Sequence, residues 1–175
     1  MSAATGSLLR SLATLVSARA VVEVGSGAGV SGLWLLHGMP ADGVLTSVDA
    51  EAEHTRLARE SFGAAGVTPP RARLITGRAL DVLPRLADGA YDLVLCDADP
   101  QEATAYVDEA ARLLRTGGLV VVAHALLGGA VADPAQRDAT TVAMRSLVTA
   151  LPEDERFATT LLDVGDGLLL GVRAD

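Results

Sequence analysis

Glu23 and the glycines at 25, 27 and 29 stand in one stretch, Glu23-Val24-Gly25-Ser26-Gly27-Ala28-Gly29-Val30-Ser31. Alternating glycines let a backbone turn tightly and meet a ligand with no Cβ in the way. A helix opening straight after such a turn presents unpaired N–H groups. Further along come Asp49, then Gly77-Arg78-Ala79, Asp97-Ala98-Asp99 and Ala123-His124, each closing an apolar run. A carboxylate in such a place has the paired acceptors that a diol needs. An imidazole there can move protons near neutral pH. Together these residues describe a pocket for a nucleotide-like ligand with a candidate base at its mouth.

The spacing narrows the ligand. A dinucleotide fingerprint requires Gly-x-Gly-x-x-Gly, and counting from Gly25 the sixth place holds Val30. Glu23, just before the turn, would repel a pyrophosphate and suits a cation. S-adenosylmethionine carries a sulfonium and an ammonium and no phosphate. A glycine turn without a ligand is the plain alternative.

These residues need elements to position them. Val21, Val22 and Val24 make a short strand covered on both faces. Leu8, Leu9, Leu12, Leu15 and Val16 recur at helical spacing, which predicts an amphipathic helix over residues 5–17. Strands follow over 19–24, 44–48, 72–76, 91–96 and 119–123, with helices over 30–38, 51–65, 79–86, 102–114 and 135–150. Pro84 predicts a kink or early stop in the 79–86 helix. Thr116-Gly117-Gly118 reads as the turn ending the 102–114 helix. Runs at 157–162 and 168–172, joined by a five-residue link, predict an antiparallel hairpin. Alternating strands and helices closed by a hairpin imply an α/β fold: a mostly parallel sheet with an antiparallel edge and helices on both faces.

Composition sets the bounds. The chain has 175 residues, half of them apolar, which is enough for one sizeable domain over 1–175. Its formal net charge of −8 argues against nucleic acid as a partner, since phosphate neutralisation needs a basic face. All 14 basic side chains other than histidine are arginine, so no lysine can serve as a base. No apolar run reaches the length of a membrane span, and no secretory leader is evident. A cytoplasmic protein with no membrane partner is the expectation. The lone Cys96 excludes a disulfide framework and reads as an inert buried thiol.

The ordered set of blocks resembles a known family. The glycine stretch, Asp49, Gly77-Arg78-Ala79, Leu95-Cys96-Asp97-Ala98-Asp99, Arg112-Leu113-Leu114-Arg115-Thr116-Gly117-Gly118 and Gly165-Asp166-Gly167-Leu168-Leu169-Leu170 are similar to those of the small O-methyltransferases. That family includes the catechol and caffeoyl-coenzyme A O-methyltransferases and their bacterial members. The resemblance implies a Rossmann-like, seven-strand class I methyltransferase sheet and S-adenosylmethionine as cofactor. It implies methyl transfer to a hydroxyl of a small, phenolic acceptor, and a homodimer.

By that resemblance Glu23, Gly25, Ser26, Gly27 and Ser31 belong to the loop around the methionine part of the cofactor. Asp49 accepts from the ribose hydroxyls, with Ala50 beside it, and the backbone of Ala79 approaches the adenine. Asp97 and Asp99 complete the cofactor site. The family usually has an acid where Arg78 stands, so Arg78 reads as a solvated helix-start residue. His37 and His54 read as surface helix residues, and Trp34 and Tyr106 as helix packing, with an aromatic wall of the acceptor pocket as their alternative.

Departures from the family pattern bear on catalysis. Metal-dependent members hold a divalent cation on the aspartate ending strand four and an Asp-Asn pair ending strand five, assisted by a lysine. Asp97 matches the first ligand, but Ala123-His124 stands for the pair and Pro100 for the lysine. No metal site is assigned, and magnesium stays an alternative to a protein base, for which Asp97 and His124 are the candidates. Relatives also carry a further helical segment ahead of Thr5, which reads here as absent. A cofactor-binding protein that has lost catalysis and a nicotinamide dinucleotide-binding domain are the rival functions.

Overall fold

A computed structural model describes residues 1–175. Helix α1 (Ala3–Leu15) is followed by β1 (Ala20–Val24), α2 (Val30–Gly38), β2 (Val44–Asp49), α3 (Ala52–Ala64) and β3 (Ala72–Thr76). Then come α4 (Ala79–Val82), β4 (Tyr91–Cys96), α5 (Ala103–Leu113), β5 (Leu114–Ala123), α6 (Ala139–Ala150), β6 (Phe157–Leu162) and β7 (Leu168–Arg173). The seven strands form one sheet in the order β3-β2-β1-β4-β5-β7-β6. Only β7 runs antiparallel to both its neighbours, so the terminal hairpin returns against a parallel body. No helix is long and apolar enough to cross a membrane.

The period of two along the strands divides the apolar side chains between two cores. Val21, Leu93, Leu95, Leu119, Val121, Leu168 and Leu170 face α1, α2 and α3, where Leu9, Leu35 and Phe62 cover them. Val22, Val24, Val94, Cys96, Val120, Val122 and Leu169 face α4, α5 and α6, against Tyr106, Val107, Met144 and Leu147. Each fully buried Leu or Val contributes about 1.5–3 kcal/mol of transfer free energy. This two-sided burial fixes the register, because a one-residue slip would exchange the two cores.

The structure moves some expected boundaries. Strand β5 starts at Leu114, directly after α5, and not at Leu119. Leu114 pairs with Tyr91 and Leu119 with Leu93, so residues 115–118 bulge out of the ladder, with Gly117 at φ 73°. Thr116-Gly117-Gly118 is therefore a bulge within the strand and no helix stop. Helix α6 starts at Ala139, later than expected, because Asp138 caps it by accepting from the Thr141 N–H at 2.9 Å. Pro84 ends α4 as anticipated, and Leu83–Arg85 continues as a single 3₁₀ turn.

Candidate active site

Strand β1 lies between β2 and β4, and the chain leaves it in opposite directions on its two sides. Such a switch point opens a crevice beyond the carboxyl ends of the strands. A cavity of about 500 Å³ lies there, and Gly25, Gly27, Asp49, Ala79, Asp97 and Asp99 are among its walls.

The three glycines of the turn have separate reasons to be there. Gly25 has φ 96°, and a Cβ on it would stand 2.1 Å from the Asp97 carbonyl oxygen, so the turn lies flat on the end of β4. Gly27 borders open space, and its N–H donates to Asp49 Oδ2 at 3.0 Å. Gly29 serves packing, since a Cβ there would come within 3.0 Å of the Ala58 Cα in α3.

Glu23, Ser26 and Ser31 are buried behind this turn and are not among the residues lining the cavity. Ser47 donates its hydroxyl to Glu23 Oε2, and the Ser26 and Ser47 hydroxyls are 2.7 Å apart. Glu23 Oε1 is buried with no hydrogen-bond partner. Burial pushes the Glu23 carboxyl up to about 7 against the opposing Ser31 and Ser47 hydroxyls, and the charges of Asp97 and Asp49 add to the rise.

Asp49 closes β2 and organises the next wall. Its Oδ1 accepts from the Glu51 N–H at 2.9 Å. His54 Nδ1 lies 3.2 Å from both carboxylate oxygens. Ala50, Glu51 and His54 line the same cavity. His54 is a surface helix residue, as its sequence suggests, yet it also reaches the site. Across the cavity Arg78 donates to Glu102 Oε1 at 2.7 Å, and the Tyr106 hydroxyl donates to Glu102 Oε2 at 2.6 Å. Sequence reasoning missed Glu102, and gave Tyr106 to helix packing with a wall of the acceptor site as the alternative. Their four-residue spacing on one helical face was the available signal.

Asp97 and Asp99 both reach the cavity from the end of β4. Asp99 Oδ1 accepts from the Gln101 N–H at 2.9 Å and so caps the Pro100–Glu102 turn. Burial raises the Asp97 carboxyl above its ordinary value, with His124 opposing the rise.

His124, at the end of β5, takes φ 56° in the left-handed region. Its Nε2 faces Asp97 Oδ1 at 3.4 Å and its Nδ1 faces Asp166 Oδ2 at 3.0 Å. It also lines a second cavity, of about 330 Å³, with Thr5, Ala123, Asp166 and Leu168. Asp97 thus borders the first cavity and His124 the second, with the two side chains facing each other. Trp34 does not reach either space: a Cβ on Gly6 of α1 would stand 2.2 Å from its Nε1, which puts the ring in the α1–α2 contact. His37 is exposed on α2.

The donors present suit one kind of ligand better than another. Five carboxylate residues, Asp49, Glu51, Asp97, Asp99 and Glu102, line the first cavity, and its one arginine, Arg78, is already paired with Glu102. That charge balance favours a cationic, phosphate-free ligand over a pyrophosphate. A hard divalent cation needs several oxygens converging on one point. Asp97 and Asp166 face opposite nitrogens of one imidazole and so diverge, while Ala123 offers no donor. These residues do not fit a magnesium site.

Comparison with known proteins agrees with the fold. A family model described as O-methyltransferase matches residues 1–174. A Mycobacterium tuberculosis (strain ATCC 25618 / H37Rv) protein named "Probable O-methyltransferase Rv1220c" is 56% identical over 170 residues, which are 97% of this chain and 76% of that protein. The crystal structure of cofactor-bound Rv0187 from MTB superposes with a TM-score of 0.93 at 34% identity, covering 100% of this chain and 82% of the other. The O-methyltransferase TomG from Streptomyces achromogenes, involved in tomaymycin synthesis and solved in complex with SAM, gives 0.92 at 33% identity with the same coverage. The chain belongs to the O-methyltransferase family.

Proposed function

We propose that this protein transfers a methyl group from S-adenosylmethionine to a hydroxyl of a small phenolic molecule, with Asp97 and His124 as its base and without a metal. The observation that carries this reading is the His124 imidazole, whose Nε2 stands 3.4 Å from Oδ1 of Asp97, a residue that lines the larger cavity. The acidic lining of the larger cavity supports a sulfonium ligand, and the TomG complex with SAM supports the same choice.

In this reading Gly25 and Gly27 leave room for the methionine part, and Glu23, Ser26 and Ser31 brace the turn from behind. Asp49, with Ala50 beside it, accepts hydrogen bonds from the ribose hydroxyls, while Ala79 meets the adenine. Asp99 holds the rim, and Asp97 lies nearest the reacting atoms. Bound there, the cofactor supplies an electrophilic sulfonium methyl. The residues of the chain then align the acceptor hydroxyl and remove its proton. His124 Nε2 takes that proton, and the Asp97 carboxylate stabilises the imidazolium that results.

A cofactor-binding protein without transfer is the second reading, favoured by Ala123, which removes a ligand that metal-dependent relatives use. Calorimetry with S-adenosylhomocysteine and with nicotinamide dinucleotide tests the cofactor, with binding of the first alone expected. Failure to bind the homocysteine compound would sink the proposal. Product analysis over catechols, other phenols and hydroxy acids then tests transfer. Methylation of a phenol supports the leading reading, and binding without any product favours the second.

A further inference from the structure

We infer that Asp166 is a positioning residue for His124: its carboxylate holds the imidazole in the tautomer with the proton on Nδ1, leaving Nε2 free to accept one beside Asp97. The inference rests on the proposed role of His124 as base. It names how that ring is set, and by a residue 42 positions away in sequence.

The geometry of the Gly165-Asp166-Gly167 turn supports it. A Cβ at Gly165 would meet Thr5 Oγ1 at 2.3 Å, and one at Gly167 would meet the Leu126 Cγ at 2.5 Å. The turn is wedged between α1 and the segment after His124. Two backbone bonds tie it there, from the Leu126 N–H to the Asp166 carbonyl at 3.0 Å and from the Ala125 N–H to the Gly167 carbonyl at 3.1 Å. The Asp166 carboxylate is itself fixed, because the Gly128 N–H donates to its Oδ1. Only Oδ2 is left for His124 Nδ1, at 3.0 Å.

Burial opposes ionisation of Asp166, but the Gly128 N–H and His124 outweigh it and hold the carboxyl below its ordinary range. An ionised carboxylate only accepts, so the hydrogen between the two groups sits on Nδ1. Nδ1 makes a hydrogen bond with Asp166 at 3.0 Å, whereas Asp97 stands 3.4 Å from Nε2, so the single hydrogen of the neutral ring stays on Nδ1 and Nε2 presents a lone pair. The left-handed backbone of His124 costs about 1–2 kcal/mol, and it persists because these contacts over-determine it. In the proton step the acceptor O–H bond breaks and an Nε2–H bond forms. The positive charge then lies between Asp97 and Asp166, and the proton leaves to solvent across the half-exposed ring.

Asp166→Asn in the full chain is the test. The asparagine Oδ1 can keep the Gly128 N–H, but its amide donates toward Nδ1 and so forces the hydrogen onto Nε2. The chain has three histidines, so their ¹⁵N imidazole resonances can be assigned one by one. Expected are an Nδ1–H tautomer of His124 in the wild type and an Nε2–H tautomer in the variant. The kcat for methyl transfer should fall about 100-fold, with acceptor KM and cofactor Kd within about twofold, as for a wrong tautomer in an intact site. An Nε2–H tautomer in the wild type overturns the inference without any variant. An inactive His124→Ala beside a fully active Asp166→Asn also overturns it, while leaving the base assignment standing. Full activity in His124→Ala would instead sink the base assignment, and the wild-type spectrum would still decide on Asp166.

Discussion

Replacing Glu23 by Gln should change how the stability of this protein depends on pH. Glu23 is fully buried under the glycine turn, Ser47 satisfies one of its oxygens, and Oε1 has no partner. Its carboxyl is pushed up to about 7 from an ordinary 4.5, so the folded state holds a proton that the unfolded chain releases earlier. A carboxyl raised in this way contributes stability that is complete below pH 4.5 and lost as pH rises to about 7. The gap corresponds to about 3 kcal/mol. Glutamine does not titrate. Its buried amide costs about 1–3 kcal/mol if unsatisfied, but that cost does not vary with pH. Urea denaturation of both proteins between pH 4 and pH 8 isolates the effect. Wild type should lose about 3 kcal/mol relative to Glu23→Gln across that range, with the loss complete near pH 7.5. Parallel pH profiles would refute the reasoning, because they would mean that Glu23 ionises in the folded state as it does in water.

Other substitutions separate support from contact. Gly25→Ala drives a Cβ into the Asp97 carbonyl and should cost about 3 kcal/mol in chemical denaturation. Gly27→Ala meets nothing within 4 Å and should cost only about 1 kcal/mol, yet it should weaken S-adenosylhomocysteine binding by calorimetry at least tenfold. Asp49→Asn should raise the Kd for the same ligand about 10- to 100-fold through loss of charge-assisted hydrogen bonds, with a melting temperature about 2–4 °C lower, because one amide oxygen cannot accept from both the Gly27 and the Glu51 N–H. Cys96, whose thiol burial pushes up to about 12, should resist iodoacetamide at pH 8 until denaturant is added. Rapid alkylation of the native protein would contradict its burial between β4 and α5.

Period-two patterning made the sheet legible. Val21 and Val22, or Leu119 and Val120, can be assigned to opposite cores from their alternation alone. The bulge at residues 115–118 was not legible, because pairing of Leu114 with Tyr91 is a long-range event that local glycines do not announce. The start of α6 was missed for a local reason: Asp138 outcompetes the earlier Asp133-Pro134 signal as a cap. That Asp49 and Asp97 line the cavity could be read ahead, because the crevice of an open α/β sheet lies beyond the strand ends. His54 and Glu102 could not, since their reach depends on how α3 and the Pro100–Glu102 turn are rotated against the sheet. The link between His124 and Asp166 depends on β7 returning antiparallel beside β5, which sets Ala123 opposite Leu168.

Turnover in the presence of a chelator is the sharpest test of methyl transfer served by a protein base and no metal. Formation of S-adenosylhomocysteine from S-adenosylmethionine and a panel of phenols would be followed in excess EDTA for wild type and His124→Ala. Expected are full wild-type turnover in the chelator and a fall of about 100-fold or more in the variant. Turnover that requires added magnesium, or that survives unchanged in His124→Ala, would contradict that mechanism.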